Sequence, residues 1–123
     1  MQNKKKLVSI ILNCYNGEKY LQHALNSIEK QSYKNWELIF WDNFSTDNSK
    51  KIFLSYEDKR FKYFKSEKFT NLTVARNLAM SKSKGDYIAF LDTDDSWDKN
   101  KLQSQIDLFK DKDASLIFTN YII

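Results

Sequence analysis

At 123 residues, with 41% hydrophobic and 15% aromatic side chains, the chain has the size and composition of one globular domain. A disordered segment would carry fewer apolar residues, no apolar run approaches the length of a membrane-spanning helix, and Lys4-Lys5-Lys6 precedes too short an apolar run for a signal peptide. The net charge of +4 comes from dispersed lysines rather than a basic stripe with exposed aromatics, so nucleic acid is not an expected partner, while attraction to anionic substrates or an anionic membrane face is compatible. The single cysteine, Cys14, excludes an internal disulfide and fits a reducing compartment. A cytoplasmic location, free or at the cytoplasmic face of a membrane, is therefore expected.

Five apolar runs alternate with helical patterns. Leu7 to Leu12 is continuous and rich in Val and Ile, as suits a strand covered on both faces. Asn16 follows as an expected N-cap, before Leu21, Ala24, Leu25 and Ile28 at helical spacing. Trp36 to Trp41 reads as a second strand. Ser45, Thr46 and Asp47 then offer capping oxygens to a helix burying Ile52, Phe53 and Tyr56. Phe61 to Phe64 is a short third strand. Thr73 to Lys84 is expected as a helix with Val74 and Leu78 on its apolar face, Ala75 and Ala79 beside them, and Gly85 as its stop signal. Tyr87 to Leu91 is a fourth strand. Ser96 or Asp98 is positioned to cap a helix carrying Leu102, Ile106 and Phe109, and Ser115 to Ile123 resumes a strand.

Strands alternating with helices imply right-handed βαβ units and a mainly parallel sheet, a Rossmann-like α/β fold in a single domain over 1–123. No repeat or linker divides the chain. The last strand has no polar tail, which suggests a boundary cut through a longer protein. An edge left uncovered there would favour self-association into a homo-oligomer.

The chemistry concentrates where strands end. Asp86-Tyr87-Ile88-Ala89-Phe90-Leu91-Asp92-Thr93-Asp94-Asp95 is an apolar strand that stops in three carboxylates within four residues. Like charges so close raise one another's pKa unless a cation neutralises them, and Mg2+ or Mn2+ takes oxygen ligands while holding a substrate diphosphate. The plainer alternative is a solvated acidic turn that caps the next helix. Further polar clusters follow strand one (Asn13, Cys14, Tyr15, Asn16) and strand two (Asp42, Asn43, Ser45, Asp47). In open α/β sheets ligands bind beyond such carboxyl ends.

With only two glycines, Gly17 and Gly85, neither a G-x-G-x-x-G turn nor a Walker A loop can exist. A bound nucleotide must use side chains and a metal. Tyr15 has the chemistry to stack on a base, Asp42 to accept from a base N–H, and Arg76 to contact phosphate or brace a carboxylate. Simple packing for Tyr15 and helix capping for Asp42 remain the alternatives. His23 belongs on the polar side of the first helix. Cys14 lacks a base partner and is not expected as a nucleophile. One Cys and one His are too few for zinc.

Four stretches in order carry a resemblance: Val8-Ser9-Ile10-Ile11-Leu12-Asn13-Cys14-Tyr15-Asn16, Trp41-Asp42-Asn43-Phe44-Ser45-Thr46-Asp47, Ala75-Arg76-Asn77, and Gly85 through Asp95. Over nearly its whole length the chain resembles the N-terminal, nucleotide-sugar-binding half of family 2 glycosyltransferases, which have the GT-A fold. The resemblance implies a UDP-sugar donor, with Tyr15 against the nucleobase, Asp42 at the base edge and Arg76 near the diphosphate. It places the D-x-D motif on Asp92 and Asp94. Asp94 is then the first choice for a Mn2+ or Mg2+ ligand, Asp92 lies nearer the ribose or a metal-bound water, and Asp95 is an unassigned acidic neighbour.

Two departures stand out. Family members usually carry Pro-Thr before the tyrosine, where this chain has Asn13-Cys14. The family's acceptor half, which would bind a glycan or lipid-linked acceptor and supply the general base, is expected beyond Ile123. The catalytic residue is therefore unknown, and the chain alone is expected to be inactive. Two other readings compete: a non-catalytic nucleotide-sugar-binding or interaction domain, and a haloacid-dehalogenase-like phosphatase with Asp92 as nucleophile and Asp94 as general acid. The phosphatase motif normally sits on the first strand, whereas here it follows the fourth.

Overall fold

The computed structural model describes residues 5–109. The expected strand over Ser115 to Ile123 lies outside them. The elements run β1 (Val8–Cys14), α1 (Glu18–Glu29), β2 (Trp36–Asp42), α2 (Ser49–Leu54), β3 (Phe61–Lys65), α3 (Leu72–Met80), β4 (Tyr87–Phe90) and α4 (Lys101–Phe109). The four strands form one parallel sheet in the order β3-β2-β1-β4. The mainly parallel α/β architecture expected from the sequence is the one observed.

Strand alternation sorts the core onto the two faces of this sheet. Val8, Ile10 and Leu12 of β1 and Trp36, Leu38 and Phe40 of β2 pack with Leu21, Ala24, Leu25 and Ile28 of α1, Phe53 of α2 and Leu102 of α4. Aromatic rings extend this layer toward β3, with Phe40 stacked on Phe53 at 4.2 Å and Phe53 on Phe61 at 5.5 Å between centroids. Ile11, Ile39, Trp41 and Phe90 point the other way, where α3 lays Ala75 and Ala79 on them. At the opposite end of the sheet from the strand tips that matter below, Ser9 donates to buried Glu37 at 2.5 Å, and Lys62 Nζ and the Lys84 N–H donate to the same carboxylate.

Three local expectations need correction. Val74 and Leu78 are 41% and 38% exposed; the helix seats its small residues, Ala75 and Ala79, because short side chains let α3 approach the sheet closely. Helix α3 ends at Met80, so Gly85 is not its cap. A Cβ at Gly85 would lie 2.5 Å from Ser9 Oγ and 2.8 Å from the Leu7 carbonyl oxygen, so the glycine serves close backbone approach. Asn16 does not cap α1: Gly17 occupies the N-cap position and offers no side chain. The start of α4 is held from across the fold by buried Gln31, whose Oε1 accepts from the Leu102 N–H at 3.0 Å, while Asp98 accepts from the Asn100 N–H.

Candidate functional site

The chain steps outward from β1 to β2 to β3, then returns to place β4 on the other side of β1. The strand order therefore reverses between β1 and β4, and the loops leaving their carboxyl ends flank the crevice where α/β sheets hold ligands. These loops touch. A Cβ at Gly17 would meet Cys14 Sγ at 3.1 Å and Thr93 Cβ at 3.2 Å.

The loops after β1 and β2 are stitched together by reciprocal capping. The Asn16 N–H donates to Ser45 Oγ, Gly17 N–H to Ser49 Oγ and Glu18 N–H to Asp47 Oδ2, at 2.9, 3.0 and 3.1 Å. In return Asn16 Oδ1 accepts from the Thr46 N–H at 2.7 Å, and Asp47 Oδ1 accepts from the Ser49 N–H at 2.9 Å. Asp47 thus serves the first turns of both α1 and α2. Burial pushes its carboxyl up, but the bonds from Ser49 and the Glu18 N–H outweigh this and hold it below its ordinary value. Asn16 and Phe44 take left-handed backbone, φ 48° and 67°, to complete these turns.

Asp42 ends β2 and is 1% exposed. Its Oδ1 accepts from the Ser45 N–H at 2.8 Å and its Oδ2 from the Tyr63 hydroxyl at 2.6 Å. Burial, then the bond to Asp42 and its charge, raise the Tyr63 phenol well above its usual value, so Tyr63 remains a donor. A carboxylate offers about four lone-pair sites, so the two internal bonds leave Asp42 further accepting capacity.

Next to it, Asn43 Oδ1 accepts from the Thr70 N–H at 3.0 Å and Asn43 Nδ2 donates to the Thr70 carbonyl at 2.8 Å. This pair imitates one rung of a strand ladder and fastens the β3–α3 segment to the end of β2. Phe69 on that segment meets Tyr15 edge to face, centroids 4.7 Å apart at 65°. Cys14 lies beneath: burial raises its thiol pKa despite bonds with Ser49, Gly17 and Ser45, so it is not a ready nucleophile.

On the β4 side, the Asp95 N–H donates to the Asp92 carbonyl at 3.1 Å, closing a turn that leaves Asp94 and Asp95 exposed. Arg76 of α3 reaches Asp92 Oδ1 at 3.6 Å and lies over the Phe90 ring at 5.5 Å. This ion pair is the geometry that bracing a carboxylate requires. Among the described residues no three His, Cys, Asp or Glu side chains form a ready-made metal cage. The donor set still fits a hard divalent ion of the kind that takes one or two carboxylates and completes its shell with phosphate oxygens and water. His23 is exposed on α1, as expected.

The structure thus gathers Tyr15, Asp42, Asp92 and Asp94 at the carboxyl edge, with Arg76 beside Asp92. Sequence reasoning missed Phe69, the Asn43 clamp and Tyr63. Asn43 was visible as part of a polar cluster; the other two had no local signal.

The chain matches the family model for Glycosyl transferase family 2 over residues 9–123. It belongs to that family. This family 2 glycosyltransferase chain is 38% identical to the putative teichuronic acid biosynthesis glycosyltransferase TuaG of Bacillus subtilis, over 98% of this chain and 49% of that protein. It is 40% identical to the UDP-Glc:alpha-D-GlcNAc-diphosphoundecaprenol beta-1,3-glucosyltransferase WfgD of Escherichia coli, over 95% of this chain and 46% of that one. The chain spans about half the length of these curated relatives. Among solved structures, S. aureus TarS 1–349 in complex with UDP superposes with a TM-score of 0.80 at 30% identity, covering 85% of this chain and 32% of that one. The fold is the GT-A arrangement that the resemblance implied. Family membership sets aside the phosphatase reading, which also fails on the placement of D-x-D after β4.

Proposed function

We propose that this family 2 glycosyltransferase chain is the donor-binding part of an enzyme that transfers a sugar from a UDP-sugar, with inversion, to an acceptor hydroxyl. The observation that carries the reading is the convergence of three polar loops at the β1/β4 crevice. They bring an exposed ring (Tyr15), a buried carboxylate at a strand end (Asp42) and an acidic turn with its arginine (Asp92, Asp94, Arg76) to one edge. That TarS was solved with UDP, and that WfgD is named for UDP-Glc and a diphosphoundecaprenol-linked acceptor, supports a uridine donor and a lipid-linked acceptor.

In this reading Tyr15 stacks on uracil and Asp42 accepts from its N–H with the lone pairs left over from Ser45 and Tyr63. Arg76 orients Asp92 toward the ribose and adds positive charge near the diphosphate. Asp94, with Asp92, would hold Mn2+ or Mg2+, which when bound offsets the charge of the departing diphosphate. The base that deprotonates the acceptor is assigned to the acceptor half of the complete protein. With a lipid-linked acceptor for polysaccharide assembly, we propose that the protein works at the cytoplasmic face of the membrane. The contact we propose for this chain is peripheral; among the described residues no helix is long and apolar enough to cross a membrane.

Calorimetry tests the site. UDP should bind weakly without divalent metal and more tightly with Mn2+ or Mg2+, and Asp94→Ala should abolish that difference without lowering the melting temperature, because its side chain is exposed. Equal UDP affinity in the presence of a chelator would remove the acidic turn from the site.

A further inference from the structure

Tyr15 and Phe69 are large aromatic side chains that remain 51% and 57% exposed at the carboxyl edge of the sheet. Their rings are held at 65° with centroids 4.7 Å apart. Two rings in this relation form an open corner, so a flat heterocycle stacked on one ring presents its edge to the face of the other. The corner is built rather than incidental. Its Phe69 side hangs on a segment pinned at both ends to β2: Ser66 N–H donates to the Asp42 carbonyl at 2.8 Å, and Asn43 exchanges two hydrogen bonds with the Thr70 backbone. Asn43 is 6% exposed, and its own N–H donates to the Cys14 carbonyl at 2.7 Å, next to Tyr15. One residue therefore ties the strand end carrying Tyr15 to the segment carrying Phe69.

We propose that Phe69 is the second wall of the nucleobase corner and a specificity-determining contact, and that Asn43 is the positioning residue that sets its angle to Tyr15. The inference rests on the donor-binding reading of the same edge and adds to it a residue from the β3–α3 segment. A pyrimidine ring fills such a corner while keeping its polar edge toward Asp42. A bulkier purine would have to displace the Phe69 segment against the Asn43 clamp.

The test is calorimetry on the full chain with Mn2+, titrating UDP, GDP and, as a base-free probe, inorganic diphosphate. Phe69→Ala should weaken UDP about ten- to fifty-fold, as loss of a base–aromatic contact does, and leave inorganic diphosphate within about twofold. Phe69→Tyr should restore UDP binding. Asn43→Ala should reproduce the UDP loss and narrow the gap between UDP and GDP, and the double variant should be no worse than Phe69→Ala. Asn43→Asp, which keeps the acceptor for the Thr70 N–H, should fall between parent and Asn43→Ala and serves if the alanine variant does not fold.

The outcomes separate the two levels of the reading. If the parent chain binds UDP no better than inorganic diphosphate, the donor site itself is wrong. If the parent prefers UDP and Phe69→Ala keeps that preference, only the second wall is overturned. Losses that multiply in the double variant would show that Asn43 does not act through Phe69.

Discussion

Replacing Tyr63 by Phe removes one oxygen and leaves the ring in its stack, 5.8 Å from Phe40 and 5.9 Å from Phe53 between centroids. What is lost is the 2.6 Å hydrogen bond to Asp42 Oδ2. The acceptor is charged and buried, so water cannot fully replace the donor, and a bond of this kind contributes about 1.5–3 kcal/mol. With an unfolding entropy near 2.1 cal/mol/K per residue, roughly 4 °C of melting temperature corresponds to each kcal/mol for a chain of this length. Tyr63→Phe should therefore melt roughly 6–12 °C below the parent. Asp42→Asn keeps the oxygen that accepts from the Ser45 N–H but replaces the charged acceptor facing Tyr63. In the double variant most of the second loss should vanish, a coupling of about 1–2 kcal/mol. Differential scanning calorimetry on the four proteins closes the cycle. Additive losses, or a Tyr63→Phe protein that melts with the parent, would refute the view that Tyr63 holds this carboxylate. Under the donor reading Asp42→Asn should also erase most of the preference for UDP over inorganic diphosphate.

Gly85→Ala sets its Cβ 2.7 Å from the Ser9 amide nitrogen and 2.8 Å from the Leu7 carbonyl oxygen, both backbone atoms, and should destabilise by about 2–4 kcal/mol; a melting temperature unchanged from the parent would show that the strand start yields. Glu37 yields a pH prediction. Burial raises its pKa, but the bonds from Lys62, Ser9 and the Lys84 N–H outweigh this and hold it below the ordinary carboxylate value. Its contribution is therefore complete above the unfolded pKa and lost as pH falls through the folded one, so Glu37→Gln should be less stable near neutrality and show a shallower loss of melting temperature on acidification. Asp58 and Asp47 are shifted the same way and keep part of the acid limb in that variant. Cys14, buried and with its thiol pKa raised, should react with a thiol reagent only on unfolding; fast labelling of the native chain would mean that the β1 loop opens.

How much was legible beforehand differs from element to element. Leu7 to Leu12 and Trp36 to Trp41 announce buried strands because a strand covered on both faces must be apolar without interruption. The observed β1 and β2 run one or two residues further, to Cys14 and Asp42. The extension holds Asn13, Cys14 and Asp42; Cys14 and Asp42 are still buried, and Asp42 is accommodated there by the bonds from the Ser45 N–H and the Tyr63 hydroxyl. Helix α3 begins one residue before the expected start and ends at Met80, four residues short of the expected Lys84, and it buries Ala75 and Ala79 rather than Val74 and Leu78. Periodicity marks Val74 and Leu78 together with Ala75 and Ala79, and which pair faces the sheet depends on how closely a neighbour packs.

The sequence alone determined that the chain is an α/β domain with its polar chemistry at strand ends, and the order of its motifs pointed to the family. Burial pattern and residue spacing are local quantities, and they survive in one dimension. Only the tertiary structure decided the strand order β3-β2-β1-β4, which sets the acidic turn beside the β1 loop. It alone showed that Asp42 is shared with Tyr63, that Asn43 holds Thr70, and that Phe69 meets Tyr15. Each of these joins residues 21 or more positions apart, and no local periodicity encodes which distant side chain will complete a hydrogen bond or a ring pair.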